Sequence, residues 1–393
     1  MAKICMVVSS VFSMGGEQRV TVVIANELAK TNEIIIYTMD DEKDREKNPY
    51  HLDENITIRY TKQPQFGLLN RISRRIIREI NEKTNLFYQK KGFYKMLEYA
   101  YFQKAWQRQM IEQLTGEEYD VIVAVSGGNS LRLGLIADKL NCRTVGWEHN
   151  AYEAYFKTPG YYFWHTDLLF GESARRLDSC VVLNHYISDR YKEAFDVDCD
   201  VIYNPRSFVS EVKSELKNKT FVACGRLTYQ KGFDLLIESF AEFAKKNSEW
   251  NLALVGDGEQ RSELEEAIRK YALEARVKIT GYTTEVRRYL QEASAYLLSS
   301  RWEGFPMVLT EAFEMGLPVV AYDITAVQPL VTDGVEGILA TSYDTKEFAE
   351  KMLEMAAYSD EKRACMAKAA IAKADSLAIE NIIGQWKHLL KAD

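Results

Sequence analysis

A chain of 393 residues with 47% hydrophobic and 27% charged residues has ordinary globular composition and is long enough for two or three cores. Its formal net charge of −7 speaks against non-specific nucleic-acid binding, which rests on clustered Lys and Arg. Six scattered cysteines with no C-x-x-C pair, and five dispersed histidines, give no structural zinc spacing and read as reduced thiols of a cytoplasmic protein.

The first apolar run, Ile4-Cys5-Met6-Val7-Val8, is too short for a secretory segment. No stretch of about 18 uncharged apolar residues occurs, so no transmembrane helix is expected. Residues 4–8, 34–37, 56–60, 121–125, 144–147 and 180–183 are short β-branched runs, apolar on both faces, as strands covered by helices on both sides require. Helical spacing at 18–30 and 130–140 lies between them, which predicts a doubly wound α/β sheet. The pattern restarts after Pro205 and a polar stretch. Strands are predicted at 221–224, 252–255, 277–280, 295–299, 318–321 and 337–340, with helices at 233–246, 260–272, 284–292, 308–315 and 346–358. Two similar domains follow, 1–205 and 206–375. A closing helix within 376–393 has Trp386, Leu389 and Leu390 on one face and is placed to pack back on the first domain.

Doubly wound sheets hold anions where strands end and helices begin. In the second domain, Gly225-Arg226-Leu227-Thr228-Tyr229-Gln230-Lys231-Gly232 follows a strand and presents two cations between two glycines. Gly256-Asp257-Gly258 ends the next strand, but Arg261 stands where a dinucleotide fingerprint needs its third glycine, which disfavours a nicotinamide cofactor. Ser299 to Glu311 carries Glu303-Gly304-Phe305-Pro306-Met307-Val308, a turn whose N–H groups open a helix. Carboxylates at Glu303 and Glu311, among anion-binding groups, suit hydroxyls rather than phosphate. Gly316-Leu317-Pro318 reads as helix stop and strand start.

These motifs, with Gly15-Gly16, Trp147-Glu148-His149-Asn150 and Tyr203-Asn204-Pro205, resemble glycosyltransferase family 4 in order and interval over most of the chain. The resemblance implies a GT-B fold: two Rossmann-like domains facing each other across a cleft, the first for the acceptor and the second for a nucleotide sugar. It implies that Arg226 and Lys231 bind the donor diphosphate and neutralise the leaving group. Glu311 would then hold the ribose, and Glu303 the transferred sugar. Gly15, Gly16, Gly256, Gly304, Phe305, Pro306, Met307 and Val308 would complete the donor site. Gly16, Ser126, Asn129, His149 and Asn150 would face the acceptor, with His149 also reaching the donor sugar. It further implies retention of anomeric configuration and no essential metal or other cofactor, the nucleotide sugar (a UDP-sugar) being co-substrate. The chain departs from the family at Glu17-Gln18 and at Ile324-Thr325-Ala326. The competing readings are a nucleotide-sugar 2-epimerase and a catalytically silent partner protein. Asp198-Cys199-Asp200 fits the D-x-D of metal-dependent glycosyltransferases but stands apart from the other motifs.

Residues 62–108 hold eleven Lys/Arg against three acids, interleaved with nine aromatics. A basic, aromatic, amphipathic segment suits an anionic bilayer surface. The expectation is a peripheral protein at the inner face of the cell membrane. It would act on a saccharide, polyprenyl-linked or other lipid-linked acceptor, with no nucleic acid partner.

Overall fold

Seven parallel strands order the first sheet of the computed structural model, which describes residues 1–62 and 64–391. Gln63, in the basic segment, and Ala392 and Asp393, in the closing segment, lie outside the described residues. The strands are β1 (Lys3–Val7), β2 (Glu33–Thr38), β3 (Thr57–Tyr60), β4 (Val121–Val125), β5 (Arg143–Trp147), β6 (Ser179–Val182) and β7 (Cys199–Val201). Their order is β3-β2-β1-β4-β5-β6-β7, with register pairs such as Cys5 with Ile35 on one side and Ile122 on the other. The second sheet contains β8 (Thr220–Cys224), β9 (Asn251–Val255), β10 (Val277–Ile279), β11 (Ala295–Leu298), β12 (Val319–Tyr322) and β13 (Gly337–Ala340). It is also parallel, in the order β10-β9-β8-β11-β12-β13. Both orders reverse direction once, at β1/β4 and at β8/β11. Such a reversal parts the loops on either side and opens a crevice at the carboxyl ends of the strands.

The chain divides into two compact units: Met1–Asn204 with Ile379–Asp393, and Pro205–Ala378. In the first, every residue of β4 is buried, as a strand with helices on both faces requires. The closing helix Ile379–Leu390 belongs to this unit. Its Trp386 ring lies 4.6 Å from that of Trp147, and Arg143 donates to the Leu389 carbonyl.

The second unit includes the helix Asp360–Ser376, which lies outside the predicted elements. Its buried face is Met366, Ala367, Ala370 and Ala374. Alanines pack closely but contribute almost nothing to a hydrophobic period, so the sequence signal is faint. Glu314, at the end of the helix Met307–Glu314, is 1% exposed. It accepts from Arg206 at 3.0 Å, from the Ser210 N–H at 2.8 Å and from Lys213, and Arg206 also pairs with Asp375 at 2.6 Å.

In the basic segment Phe87 and Phe102 are buried, and Tyr94, Tyr101 and Trp106 pack against the first core. Aromatic rings bury the most apolar area, and the core takes them first. What stays outside is mainly aliphatic, with Tyr99 38% exposed. The helix Leu68–Lys83 leaves Leu68 71%, Leu69 83%, Ile72 46% and Ile76 52% exposed, with Arg71 and Arg75 exposed alongside. Among the described residues, no helix is long and apolar enough to cross a membrane.

Candidate functional site

In the second unit, three loops leave the carboxyl ends of β8, β9 and β11 and lock together. The contact between them requires glycine. A Cβ on Gly256 would lie 1.9 Å from the Gly225 carbonyl oxygen, and one on Gly232 would lie 2.1 Å from that of Ser299. Both also have positive φ, 148° and 63°. The Leu227 N–H donates to Asp257 O at 2.9 Å, and the Arg301 N–H to Gln230 O at 2.7 Å. The Gln230 amide donates to Trp302 O at 3.1 Å. Arg301 fastens the assembly to the next helix. Its guanidinium donates to both Asp234 oxygens, at 2.8 and 2.6 Å, and lies 3.8 Å from the Tyr229 ring centroid. Asp234 is in the first turn of the helix Phe233–Lys246.

Within this frame Lys231 Nζ lies 2.7 Å from Glu303 Oε1, and the Ser300 hydroxyl donates to the same oxygen at 2.6 Å. Glu303 is 6% exposed and the Lys231 side chain 19%, so the pair is well removed from water. One carboxylate oxygen is held, which leaves Oε2 and the remaining ammonium protons for a ligand. Gly304, Phe305 and Pro306 are buried and lead into Met307 and Val308, the first residues of the helix Met307–Glu314. The first N–H groups of a helix have no intrahelical acceptor and carry its positive dipole end.

Glu311 stands one turn further along and is 7% exposed. Its charge reaches Cys224 at the end of β8, whose thiol is raised well above its usual range by burial and then by Glu311. Arg226 is exposed on the first loop and pairs with no carboxylate among the described residues. Two cations, two acids and a helix start thus gather around the β8/β11 reversal. Ser300, Arg301 and Asp234, which shape the site, were not singled out from the sequence.

In the first unit the acceptor-side candidates follow β1, β4 and β5. Asp40 accepts from the Ser10 hydroxyl at 2.5 Å and from the Val11 and Phe12 N–H groups at 2.8 and 3.3 Å. The Gly15 N–H donates to the Tyr50 hydroxyl at 2.9 Å, just before the helix Gly16–Ala29. The Asn129 amide bridges to Ser9 Oγ at 3.3 Å and Val125 O at 2.8 Å. Ser126, at φ 73°, donates its N–H to Trp147 O at 2.8 Å. Asn150 Oδ1 accepts the Ala151 N–H at 3.3 Å.

The His149 ring lies 4.4 Å from that of Trp147, tilted by 48°, and its buried Nε2 has no partner among the described residues. Burial pushes its pKa down to about 3, so this imidazole is neutral rather than cationic at ordinary pH. Beside it, Glu148 is 1% exposed, and among the described residues neither carboxyl oxygen has a hydrogen-bond partner of good geometry. Burial, with a smaller contribution from the Glu17 charge, pushes Glu148 up to about 8. Burial pushes Glu17 itself up to about 7.

These raised values have a definite sign. An unfolded glutamate titrates near about 4.3, so between there and about 8 the folded chain holds more protons than the unfolded one. Stability contributed by both groups therefore falls as pH rises through that window. Glu148→Gln is expected to flatten the fall and to raise Tm most at the alkaline end. Thermal melts from about pH 5 to 8.5 check this.

Asp198 is exposed and pairs with Lys192 at 3.0 Å, and Asp200 lies in the edge strand β7. Among the described residues no group of three or more His, Cys, Asp or Glu side chains is placed to hold a metal ion.

Residues 207–373 match the family model "Glycosyl transferases group 1". Over 397 aligned residues the chain is 27% identical to an "Uncharacterized glycosyltransferase" of Haemophilus influenzae, covering 99% of this chain and 100% of the relative. It is 33% identical over 175 residues to the amylovoran biosynthesis glycosyltransferase AmsD of Erwinia amylovora, covering 44% of this chain and 48% of that protein. Among solved structures, Staphylococcus aureus TarM superposes with a TM-score of 0.76 at 16% identity, covering 99% and 100% of the two chains. Anabaena HepE, crystallised with UDP and glucose, gives 0.75 at 20% identity over 100% of both. The two parallel Rossmann-like sheets and these neighbours show that the chain has the GT-B fold, and its second unit is similar to the glycosyl transferases of group 1.

Proposed function

We propose that the chain is a retaining, metal-independent hexosyltransferase of the family 4 type. It moves a hexose or N-acetylhexosamine from a UDP-sugar to a saccharide or lipid-linked acceptor in cell-surface polysaccharide or glycolipid synthesis. The observation that carries this reading is the Lys231–Glu303 pair at 2.7 Å, buried beside the start of the helix Met307–Glu314. Breaking an anomeric bond to a diphosphate builds negative charge on the leaving group and positive charge on the sugar. Lys231, Arg226 and the N–H groups from Gly304 to Val308 supply the positive side. Glu303 accepts from sugar hydroxyls, and Glu311 from the ribose. His149, neutral, orients the reacting sugar by hydrogen bonding. In a front-face displacement the leaving phosphate oxygen takes the acceptor hydroxyl proton, the acceptor oxygen bonds to the anomeric carbon, and the phosphate leaves from the same face.

The test is to incubate the chain with UDP- and GDP-sugars, with and without saccharide acceptors, and to follow products by NMR. Acceptor-dependent release of UDP with an α-linked product, insensitive to a chelator, is the expected result. Isomerisation of the sugar nucleotide without acceptor, or a β-linked product, would overturn the reading.

The same reading places the chain at the inner face of the cell membrane, through the exposed aliphatic stripe of the helix Leu68–Lys83 between its arginines. Apolar side chains enter the acyl boundary while the cations meet anionic head groups. Leu69→Asp with Ile72→Asp is expected to lower affinity for anionic vesicles by about tenfold or more, since burying each side chain is worth roughly 1.5–3 kcal/mol. Co-sedimentation measures it, and unchanged binding would remove the membrane from the account.

A further inference from the structure

One feature of the first unit lies outside the roles given so far. At the carboxyl ends of β1, β2, β3 and β4 there is a small cavity of about 40 Å³ that opens to solvent. Its polar lining includes Arg132, Lys62, Asn129, Gln109 and Gln113, with Thr61 and Tyr37, and among the described residues no Asp or Glu lines it. Arg132, on the helix Gly127–Gly134, is half-buried there. Its guanidinium stacks 4.1 Å from the Trp106 ring centroid and donates once, to Asn129 Oδ1 at 3.2 Å. Among the described residues it has no carboxylate partner, and burial lowers its pKa to about 10 with no acid to offset the effect. Lys62 likewise has no ion pair among the described residues, and its carbonyl is held by the Gln109 amide at 2.8 Å.

A guanidinium taken partly out of water without a counter-ion is costly unless an anion comes to it. Stacking on Trp106 covers the flat face and leaves the N–H edge free, the edge that grips carboxylate or phosphate with two parallel bonds. The amides of Gln109 and Gln113 add neutral hydrogen-bonding groups suited to hydroxyls. Asn129, already an acceptor-side residue, connects the cavity to the loop after β1 through Ser9.

We propose that this cavity binds an anionic group, carboxylate or phosphate, borne by the saccharide acceptor, with Arg132 as its specificity-determining contact and Lys62 at its mouth. The proposal rests on the glycosyltransferase reading and narrows its acceptor to charged saccharides. Loss of a charge-assisted Arg contact costs roughly 1.5–3 kcal/mol, which corresponds to about 10- to 100-fold in affinity.

Calorimetric titration of the full chain with glucuronic acid, glucose 6-phosphate and the neutral methyl glucoside tests it. UDP is titrated in parallel as a probe of the second unit. One of the charged sugars is expected to bind at least about tenfold tighter than the neutral one. Arg132→Gln should abolish that preference while leaving UDP affinity unchanged. Because Arg132 also supports Trp106, Lys62→Gln serves as a second variant and should weaken the same charged sugar with no loss of Tm. The carboxylate and phosphate arms tell the two anions apart. Equal binding of charged and neutral sugars by the wild type, or an undiminished preference in both variants, overturns the proposal whatever UDP does. Failure of UDP to bind would strike the donor reading instead.

Discussion

Lys231→Ala is expected to lower turnover by about two to three orders of magnitude, the usual effect of removing one preorganised donor aimed at developing negative charge. Two losses combine in this variant. The ammonium that meets the diphosphate is gone, and Glu303, 6% exposed, keeps only the Ser300 hydroxyl on the oxygen that Lys231 had held. A buried carboxylate left in that state would repel the phosphate it had accompanied. Donor affinity should therefore fall together with kcat, and both are read from initial rates over a range of nucleotide sugar. Glu303→Gln separates the terms, since it removes the repulsive charge and retains a hydroxyl partner. A Lys231→Ala variant with more than about a third of wild-type turnover would take the ammonium out of the mechanism.

Glu314→Ala has the largest expected effect on stability, about 3–5 kcal/mol, as for breaking a buried ion pair from one side. The carboxylate is 1% exposed and takes Arg206, Lys213 and the Ser210 N–H at once. Those three come from the segment that begins the second unit, so the cluster ties that segment to the helix carrying Glu311. Asp375 still faces Arg206 and sets the lower end of the range. Urea unfolding followed by tryptophan fluorescence measures the change, and a loss under about 1 kcal/mol would mean that the cluster is solvated and contributes little.

The strands were legible because both of their faces are apolar, a pattern that only a sheet covered on both sides explains. The short edge strand Cys199–Val201, partly exposed at all three positions, carried no such pattern. The alanine-faced helix Asp360–Ser376 was likewise silent, for the reason its buried side chains give. In the candidate site, Lys231, Glu303, Gly256 and Glu311 stood out as residue types unusual at strand ends. Their support did not, because Arg301 and Asp234 are 67 residues apart and only the fold makes them an ion pair. Glu148 was quoted as part of a motif, yet nothing in Trp147-Glu148-His149 says that its carboxyl is sealed from water; burial belongs to the packing of β5 against its neighbours.

The central claim is that Arg226, Lys231, Glu303, Glu311 and the start of the helix Met307–Glu314 form one nucleotide-diphosphate site. Titrating UDP and uridine into the wild-type chain and Lys231→Ala by calorimetry tests it most directly. UDP should bind the wild type far more tightly than uridine does, and the alanine variant should lose most of that difference while still melting cooperatively. UDP and uridine binding alike, or a diphosphate preference undiminished in Lys231→Ala, would contradict it.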